Sequence, residues 1–440
     1  MIDNIQVEPY VDSIVMPENL KVGLMVAQQR EKCRLKGCKD QFYGLAFGQS
    51  PFDPPEPLVK ALANSAYNGH YSAAEGIPEL REAVAGFNKR HFKLDVDPAR
   101  IIIGPGTKHL IDIVFSVVRG DIIIPSPSWI GYFPQVKLLN KKFHTIYLKP
   151  EFNYKLQPQD LDRFLSGLHK GQYTLVLNNP HNPTGVVYSK SELEALADVC
   201  RKHGTLVLAD EIYALTTYNL EDFTSLGNIY PEGAFVTNGL SKDRSAGGYR
   251  LGSCILPETC SDKLMGDFKK VAATVYTNVS TPTQLAAVAA YLPNQEIEEY
   301  FNTTREIHRM MGKFLSREFN KVEGVSATDP AGAFYFFADF NALSEDLQRK
   351  GVNDSNALGQ SLLSHPHHIA AVTGDACMLK PDNYGGRIAF VDYEGKIVYA
   401  DYKKNPPKSA SEEEEFVKKN APLMVQAVDA LKKYVKYIKG

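Results

Sequence analysis

Lys242 stands in a series of polar residues whose types and order suit covalent chemistry on an anionic ring compound. Reading forward, Gly106-Thr107-Lys108, Trp129, Asn182, Asp210, Tyr213, Ser241-Lys242, Arg250 and Arg387 fall mostly in loops that follow short apolar runs. A lysine amine condenses with carbonyls, and its pKa shifts readily on partial burial. Gly104-Pro105-Gly106-Thr107-Lys108 leads into an apolar stretch, residues 110–118, that reads as a helix. A helix start offers unpaired N–H groups and a positive dipole end to an anion, and the Thr107 hydroxyl and Lys108 suit a phosphate. On their own these five residues are equally well an ordinary strand-to-helix turn.

The next segments are more specific. In Asn178-Asn179-Pro180-His181-Asn182-Pro183-Thr184-Gly185 two prolines restrict the backbone so that Asn182 projects with little freedom to lose. A single Asn-Pro turn does not account for the whole octet. Ala209-Asp210-Glu211-Ile212-Tyr213 follows an apolar run. There Asp210 would pair with a protonated pyridine nitrogen, and the Tyr213 phenol, with Asn182, would bond an oxygen on the same ring. As a plain helix N-cap, Asp210 would leave the loops on either side unexplained. Asn238-Gly239-Leu240-Ser241-Lys242-Asp243-Arg244 carries the amine, and Ser241 and Arg250 are placed to add a hydroxyl and a charge at the phosphate. Arg387, in Tyr384-Gly385-Gly386-Arg387-Ile388, offers a fork that holds an α-carboxylate by two parallel bonds. A lysine, an anion cradle, a carboxylate, a phenol and two arginines together point to pyridoxal phosphate.

The elements that must position these residues read as α/β. Apolar runs at 100–103, 122–124, 173–177, 205–208, 234–237 and 251–255 are nearly continuous, as in strands covered on both faces of a mainly parallel sheet. Between them lie helical stretches such as 189–203, with Ser189 as N-cap and Glu192 three residues on. An earlier helix is expected over residues 20–34, with a turn at Gly37. Ser50-Pro51-Phe52-Asp53-Pro54-Pro55-Glu56-Pro57 reads as an extended segment that cannot be helical. Later come a long amphipathic helix (294–318), an antiparallel-looking segment (332–340), a strand at 387–390, a polar insert (392–408) and a last helix from about Ser411. The acidic run 412–415 suits the first turn of that helix.

At this point the chain resembles the fold-type I, class I and II aminotransferases of the aspartate aminotransferase superfamily. The motifs NPHNPTG, ADEIYA and SKDRSAGGYRLG carry the likeness, which runs from about Gly48 to the C-terminal helix. The resemblance implies a large domain on a mainly parallel sheet (56–295), an N-terminal arm that joins the small domain (1–55) and a smaller α+β C-terminal domain (296–440). It implies Lys242 as the cofactor-bearing and catalytic lysine, Asp210 at the pyridine nitrogen, and Asn182 and Tyr213 at the 3-oxygen. Trp129, the chain's one tryptophan, would stack on the ring. Gly106, Thr107, Lys108, Ser241 and Arg250 would surround the phosphate, with Tyr71 reaching the phosphate of a neighbouring subunit in a homodimer. Gly48, Asn182 and Arg387 would meet the substrate. Two departures stand out: Gly239 sits where many relatives have Ser or Thr, and Ser241-Lys242-Asp243 is like 1-aminocyclopropane-1-carboxylate synthases.

The expected reaction is ping-pong transfer of an amino group between an L-amino acid and a 2-oxo acid. A pyridoxal-phosphate lyase would keep the same cofactor-holding residues and stays open as the alternative. A non-catalytic sensor needs an N-terminal DNA-binding module, and the roughly 45 residues before the similarity contain no basic helix-turn-helix.

Composition sets further limits. The 440 residues exceed one ordinary core, and 44% hydrophobic with 23% charged residues is usual for a globular enzyme. A net charge of −2, from 49 basic and 51 acidic residues, argues against nucleic acid or an anionic membrane as partner. The start Met1-Ile2-Asp3-Asn4 carries no visible secretory signal. The six scattered cysteines show no metal spacing and read as free thiols of a cytoplasmic protein. No metal is expected: His365-Pro366-His367-His368 reads as a polar loop before a strand, and His109 and His181 receive no role.

Overall fold

The structure, a computed structural model, describes residues 7–12, 14, 18–35, 37 and 40–440. Met1 to Asn4 and Cys38 lie outside the described residues. Seven strands form the central sheet: β1 (Ile101–Gly104), β2 (Asp121–Ser126), β3 (Phe143–Tyr147), β4 (Tyr173–Asn178), β5 (Leu206–Asp210), β6 (Ala234–Gly239) and β7 (Gly252–Ile255). Their spatial order is β1-β7-β6-β5-β4-β2-β3. Every neighbouring pair is parallel except the two made by β7.

Alternation along the strands explains why they read as continuous apolar runs. Ile101, Ile103, Leu175, Leu177, Val207 and Ala209 join one hydrophobic cluster, while Ile102, Val176 and Leu208 join another. Successive side chains point to opposite faces, so both faces must be covered. Helices Thr107–Val117 and Asp262–Val275 bury residues in the second cluster. Helices Pro78–Phe92, Lys190–His203 and Thr281–Tyr291 bury theirs in the first. The helix after Ser189 begins with the reciprocal bonds that Ser189 and Glu192 predict.

Both ends of the chain build the smaller α+β part. Tyr43–Gly44 pairs in parallel with Ile369–Ala370. Tyr335–Asp339 runs antiparallel to Gly385–Ala389, between Ser326–Ala327 and Val372–Thr373. The long helix spans Gln295–Asn320, and the first helix spans Glu18–Leu35. The polar insert holds a helix, Gly395–Lys404, and the expected last helix is two, Ala410–Asn420 and Pro422–Lys439. The acidic run does more than favour a helix start: Glu413 pairs with Arg309 and Glu414 with Arg317 of the long helix.

Two expectations are corrected. The proline-rich segment is not extended to its end, because a helix covers Glu56–Ser65 with Pro57 in its first turn. Proline is tolerated there since the first N–H groups of a helix have no intrahelical partner. The cysteines are not all reduced: Cys33 is disulfide-bonded, whereas Cys200, Cys254, Cys260 and Cys377 form no disulfide. Among the described residues no helix is long and apolar enough to cross a membrane.

Candidate active site

The carboxyl ends of the parallel strands converge on one cavity of about 610 Å³, the place where open α/β sheets bind ligands. Asp210 ends β5, Asn182 follows β4, Lys242 follows β6, Trp129 follows β2 and Thr107 follows β1. All five line the cavity, with Gly48, Lys108, Tyr213, Ser241, Arg250 and Arg387. Gly106 lies behind it as the N-cap of helix Thr107–Val117, at a φ of 86° that favours glycine. Arg250 bonds the carbonyls of Gly247 (2.8 Å) and Pro105 (3.2 Å), which ties the second arginine to the Gly106 turn.

Asp210 is buried, and its hydrogen-bond donors are neutral. The Tyr132 hydroxyl donates to Oδ2 at 2.6 Å, and the Ile212 N–H and Thr237 hydroxyl reach Oδ1 at 3.3 and 3.4 Å. Burial raises its pKa, and these donors oppose the rise. A buried carboxylate with neutral donors is suited to a cation arriving in front of it. Asn178 braces this corner, donating to the Asp210 carbonyl (2.8 Å) and accepting from the Asn182 N–H (2.7 Å).

Asn182 links the two ends of the cavity. Its Nδ2 lies 3.4 Å from the Tyr213 hydroxyl, and its Oδ1 accepts from Arg387 Nη1 at 3.3 Å. The Tyr213 hydroxyl also meets that of Tyr335 at 3.0 Å, and burial holds the Tyr213 pKa well above its ordinary value. Arg387 is buried: Nη2 donates to the Ala46 carbonyl (2.8 Å), and the guanidinium lies 4.5 Å from the Tyr335 ring centre. Its Nε has no hydrogen-bond partner among the described residues. Lys242 Nζ donates to the Gly48 carbonyl at 2.8 Å. Thus the amine and the guanidinium both grip the 46–48 segment.

The sequence profile of the aminotransferase class I and II family matches residues 40–394. This chain belongs to the class I and II aminotransferases. It is 30% identical over 339 residues to the asparagine–oxo-acid transaminase of Streptococcus mutans, covering 75% of this chain and 83% of that one. It is 30% identical over 349 residues to the aspartate aminotransferase of Bacillus subtilis, covering 77% and 85%. The fold superposes on the aspartate aminotransferase of Thermus thermophilus with maleate at a TM-score of 0.79, with 22% identity and 98% and 100% of the chains covered. The protein is a pyridoxal-phosphate-dependent transaminase with the fold-type I architecture.

The cavity of this aminotransferase fits that cofactor on its own lining: a carboxylate with neutral donors for the ring nitrogen, a lysine amine for the carbonyl, and Thr107, Lys108, Ser241 and Arg250 near the start of helix Thr107–Val117 for the phosphate. Of the predicted residues, Gly106 and Tyr71 do not line it, and Tyr71 lies on a different surface. Its side chain is exposed (88%) and lines a second surface hollow with Tyr276 and Asn278.

Two residues of the site escaped the sequence reading. Tyr132, three residues past Trp129, meets that ring edge-on at 5.0 Å, but its bond to Asp210 spans 78 residues and leaves no local signal. Tyr335 hides in Ala333-Phe334-Tyr335-Phe336-Phe337, where a phenol looks like one more core aromatic. Gly239 has a packing reason: a Cβ there would lie 2.7 Å from the Leu251 carbonyl oxygen. Neither His109 nor His181 lines the cavity, and His181 Nδ1 bonds the Thr184 hydroxyl at 2.7 Å.

Proposed function

We propose that this aminotransferase takes its amino group from a four-carbon acidic or amide amino acid, aspartate or asparagine, and passes it to a 2-oxo acid. The names of the relatives support the donor class. The observation that carries the residue roles is the convergence of Lys242 and Arg387 on the 46–48 segment, across a cavity that contains Asp210.

Bound there, pyridoxal phosphate supplies the carbonyl that accepts the amino group and a ring that withdraws electrons from Cα. Arg387 holds the α-carboxylate through Nε and a terminal nitrogen, which places the Cα–H toward Lys242. The Lys242 amine, which donates to the Gly48 carbonyl at 2.8 Å, would remove that proton and later return one. Asp210 keeps the ring nitrogen protonated, and Tyr132 keeps Asp210 oriented. Asn182 and Tyr213, which line the cavity, would hold the 3-oxygen, and Trp129 would cover the ring face. Thr107, Lys108, Ser241, Arg250 and the N–H groups at Gly106 take the phosphate. Gly48 would face the substrate carboxylate, and glycine is needed there because a Cβ would collide with the Tyr335 hydroxyl.

The working unit we propose is a homodimer in which Tyr71 of each chain completes the partner's phosphate site; its exposure in the single chain supports this. Residues 56–295 would form the large domain, with 1–55 and 296–440 as arm and small domain.

The test is a titration of the purified holoenzyme with single L-amino acids, no oxo acid present. Aspartate or asparagine should bleach the cofactor's visible band once, stoichiometrically, and a 2-oxo acid should restore it. Bleaching by aromatic or small neutral amino acids alone would overturn the donor class. Release of a fragment with the band unchanged would mark a lyase.

A further inference from the structure

Away from the active site, Asp40, His365 and His368 bring one carboxylate and two imidazoles together, with their ligand atoms all within 4.8 Å of one another. His368 Nε2 lies 3.0 Å from Asp40 Oδ2, and His365 Nδ1 lies 3.2 Å from the same oxygen. His368 is the decisive member. Its other nitrogen, Nδ1, lies 3.2 Å from the Leu363 carbonyl oxygen. Both ring nitrogens therefore face oxygen acceptors, while a neutral imidazole has one proton to offer. Two arrangements satisfy both contacts: an imidazolium that donates from both nitrogens, or a neutral ring with its proton on Nδ1 and a cation between Nε2 and the carboxylate. A backbone carbonyl fixing the far nitrogen is also the usual support for a metal-bound histidine.

We propose that Asp40, His365 and His368 form a site for a divalent transition-metal ion of the zinc class. Two imidazoles and a carboxylate favour zinc, cobalt or nickel over calcium or magnesium, which prefer all-oxygen shells. Ligands about 2.1 Å from a tetrahedral ion sit about 3.4 Å apart. An ion therefore needs the two carboxylate contacts to open slightly from 3.0 and 3.2 Å and the histidine nitrogens, within 4.8 Å of each other, to settle near that spacing, which the exposed His365 side chain allows. The His365 side chain is 74% exposed, Asp40 31% and His368 7%, so the ion enters from solvent and keeps a water on the open side.

The position gives the ion a structural task. Asp40 precedes Tyr43–Gly44, and the two histidines precede Ile369–Ala370, the strand that pairs with it. An ion there clips this two-stranded junction, which leads into the 46–48 segment held by Arg387 and Lys242. Binding the folded state alone, it stabilises by mass action.

The experiment uses chelator-treated holoenzyme titrated with Zn²⁺ against a chromogenic competitor, with thermal unfolding as a second readout. The wild-type chain should bind one ion and melt at a higher temperature with it. His365→Ala, at an exposed position, and Asp40→Asn should each weaken binding about tenfold or more and lose the thermal gain. Equal binding by both variants would place the zinc elsewhere, for instance on the cysteine thiols, and overturn the site. No binding at about 100 µM free zinc, a free energy near −5.5 kcal/mol, would leave an ordinary ion pair and overturn it too.

Discussion

The Tyr132 phenol reaches the Asp210 carboxylate at 2.6 Å and makes no direct claim on substrate, so its role is separable from that of the groups that react. A hydrogen bond to a charged group contributes about 1.5–3 kcal/mol, and Tyr132→Phe removes it without changing the ring's shape. The expected result is a half-reaction slowed about 10- to 100-fold, with the pH response of the cofactor's visible band displaced, because Asp210 loses a donor that lowers its pKa. A purely structural tyrosine would move stability and leave that spectral titration in place. Arg387 is the opposite case, since in the proposed mechanism it touches substrate. Arg387→Lys keeps the charge and loses the fork, so KM for the amino acid should rise about 100-fold while cofactor content is unchanged. An unchanged KM would remove Arg387 from the carboxylate site. At Gly48 the constraint is space: Gly48→Ala should weaken substrate binding, and adding Tyr335→Phe, which deletes the colliding hydroxyl, should restore part of it. Additive losses in that double variant would mean the two residues do not compete for the same volume.

At the scale of elements, what positions the site was largely legible because burial on two faces writes itself into composition. Val207 and Ala209 face one cluster and Leu208 the other, so the run before Asp210 has no polar alternation to hide it. Strand β3 was missed for the converse reason. It is an edge strand in which Ile146 alone is buried, and His144 and Thr145 interrupt the apolar pattern. Helix Gly395–Lys404 was missed similarly, with only Gly395 and Val398 buried to set a period. Tyr132 and Tyr335 act through contacts 78 and 122 residues away in sequence, and spacing along the chain does not encode such distances. The cap of helix Lys190–His203 was written locally, and a local test suits it. Ser189→Ala removes the acceptor for the Glu192 N–H and should cost about 1 kcal/mol in urea unfolding with little change in kcat. A loss in activity as large as that in stability would mean the helix start steers Asn182 as well.

Across the whole molecule, pH sets buried histidines against buried carboxyls. Burial lowers His181 to about 4 and His308 to about 3, whereas it raises Glu211 to about 8. For a histidine with a depressed folded pKa, the unfolded chain binds the extra proton, so its stabilising share is complete above about 6.5 and is lost as pH falls toward the folded value. Glu211 works in the other direction: the folded state binds the extra proton between about 4.5 and 8, so its contribution declines as pH rises through that window. The bare stability curve mixes these opposing slopes, and a variant comparison separates them. His308 sits between the rings of Phe52 and Phe334, with the Tyr393 hydroxyl 3.5 Å from Nδ1. His308→Gln keeps a polar group there and removes the titration, leaving Glu211 and His181 common to both proteins. The wild type should be the more stable at pH 8, and its advantage should shrink by about 2 kcal/mol at pH 5, because it alone then protonates on unfolding. Urea midpoints at the two pH values measure the difference directly. An advantage that stays constant would mean His308 keeps an ordinary pKa in the folded chain and that its aromatic surroundings admit the charged ring.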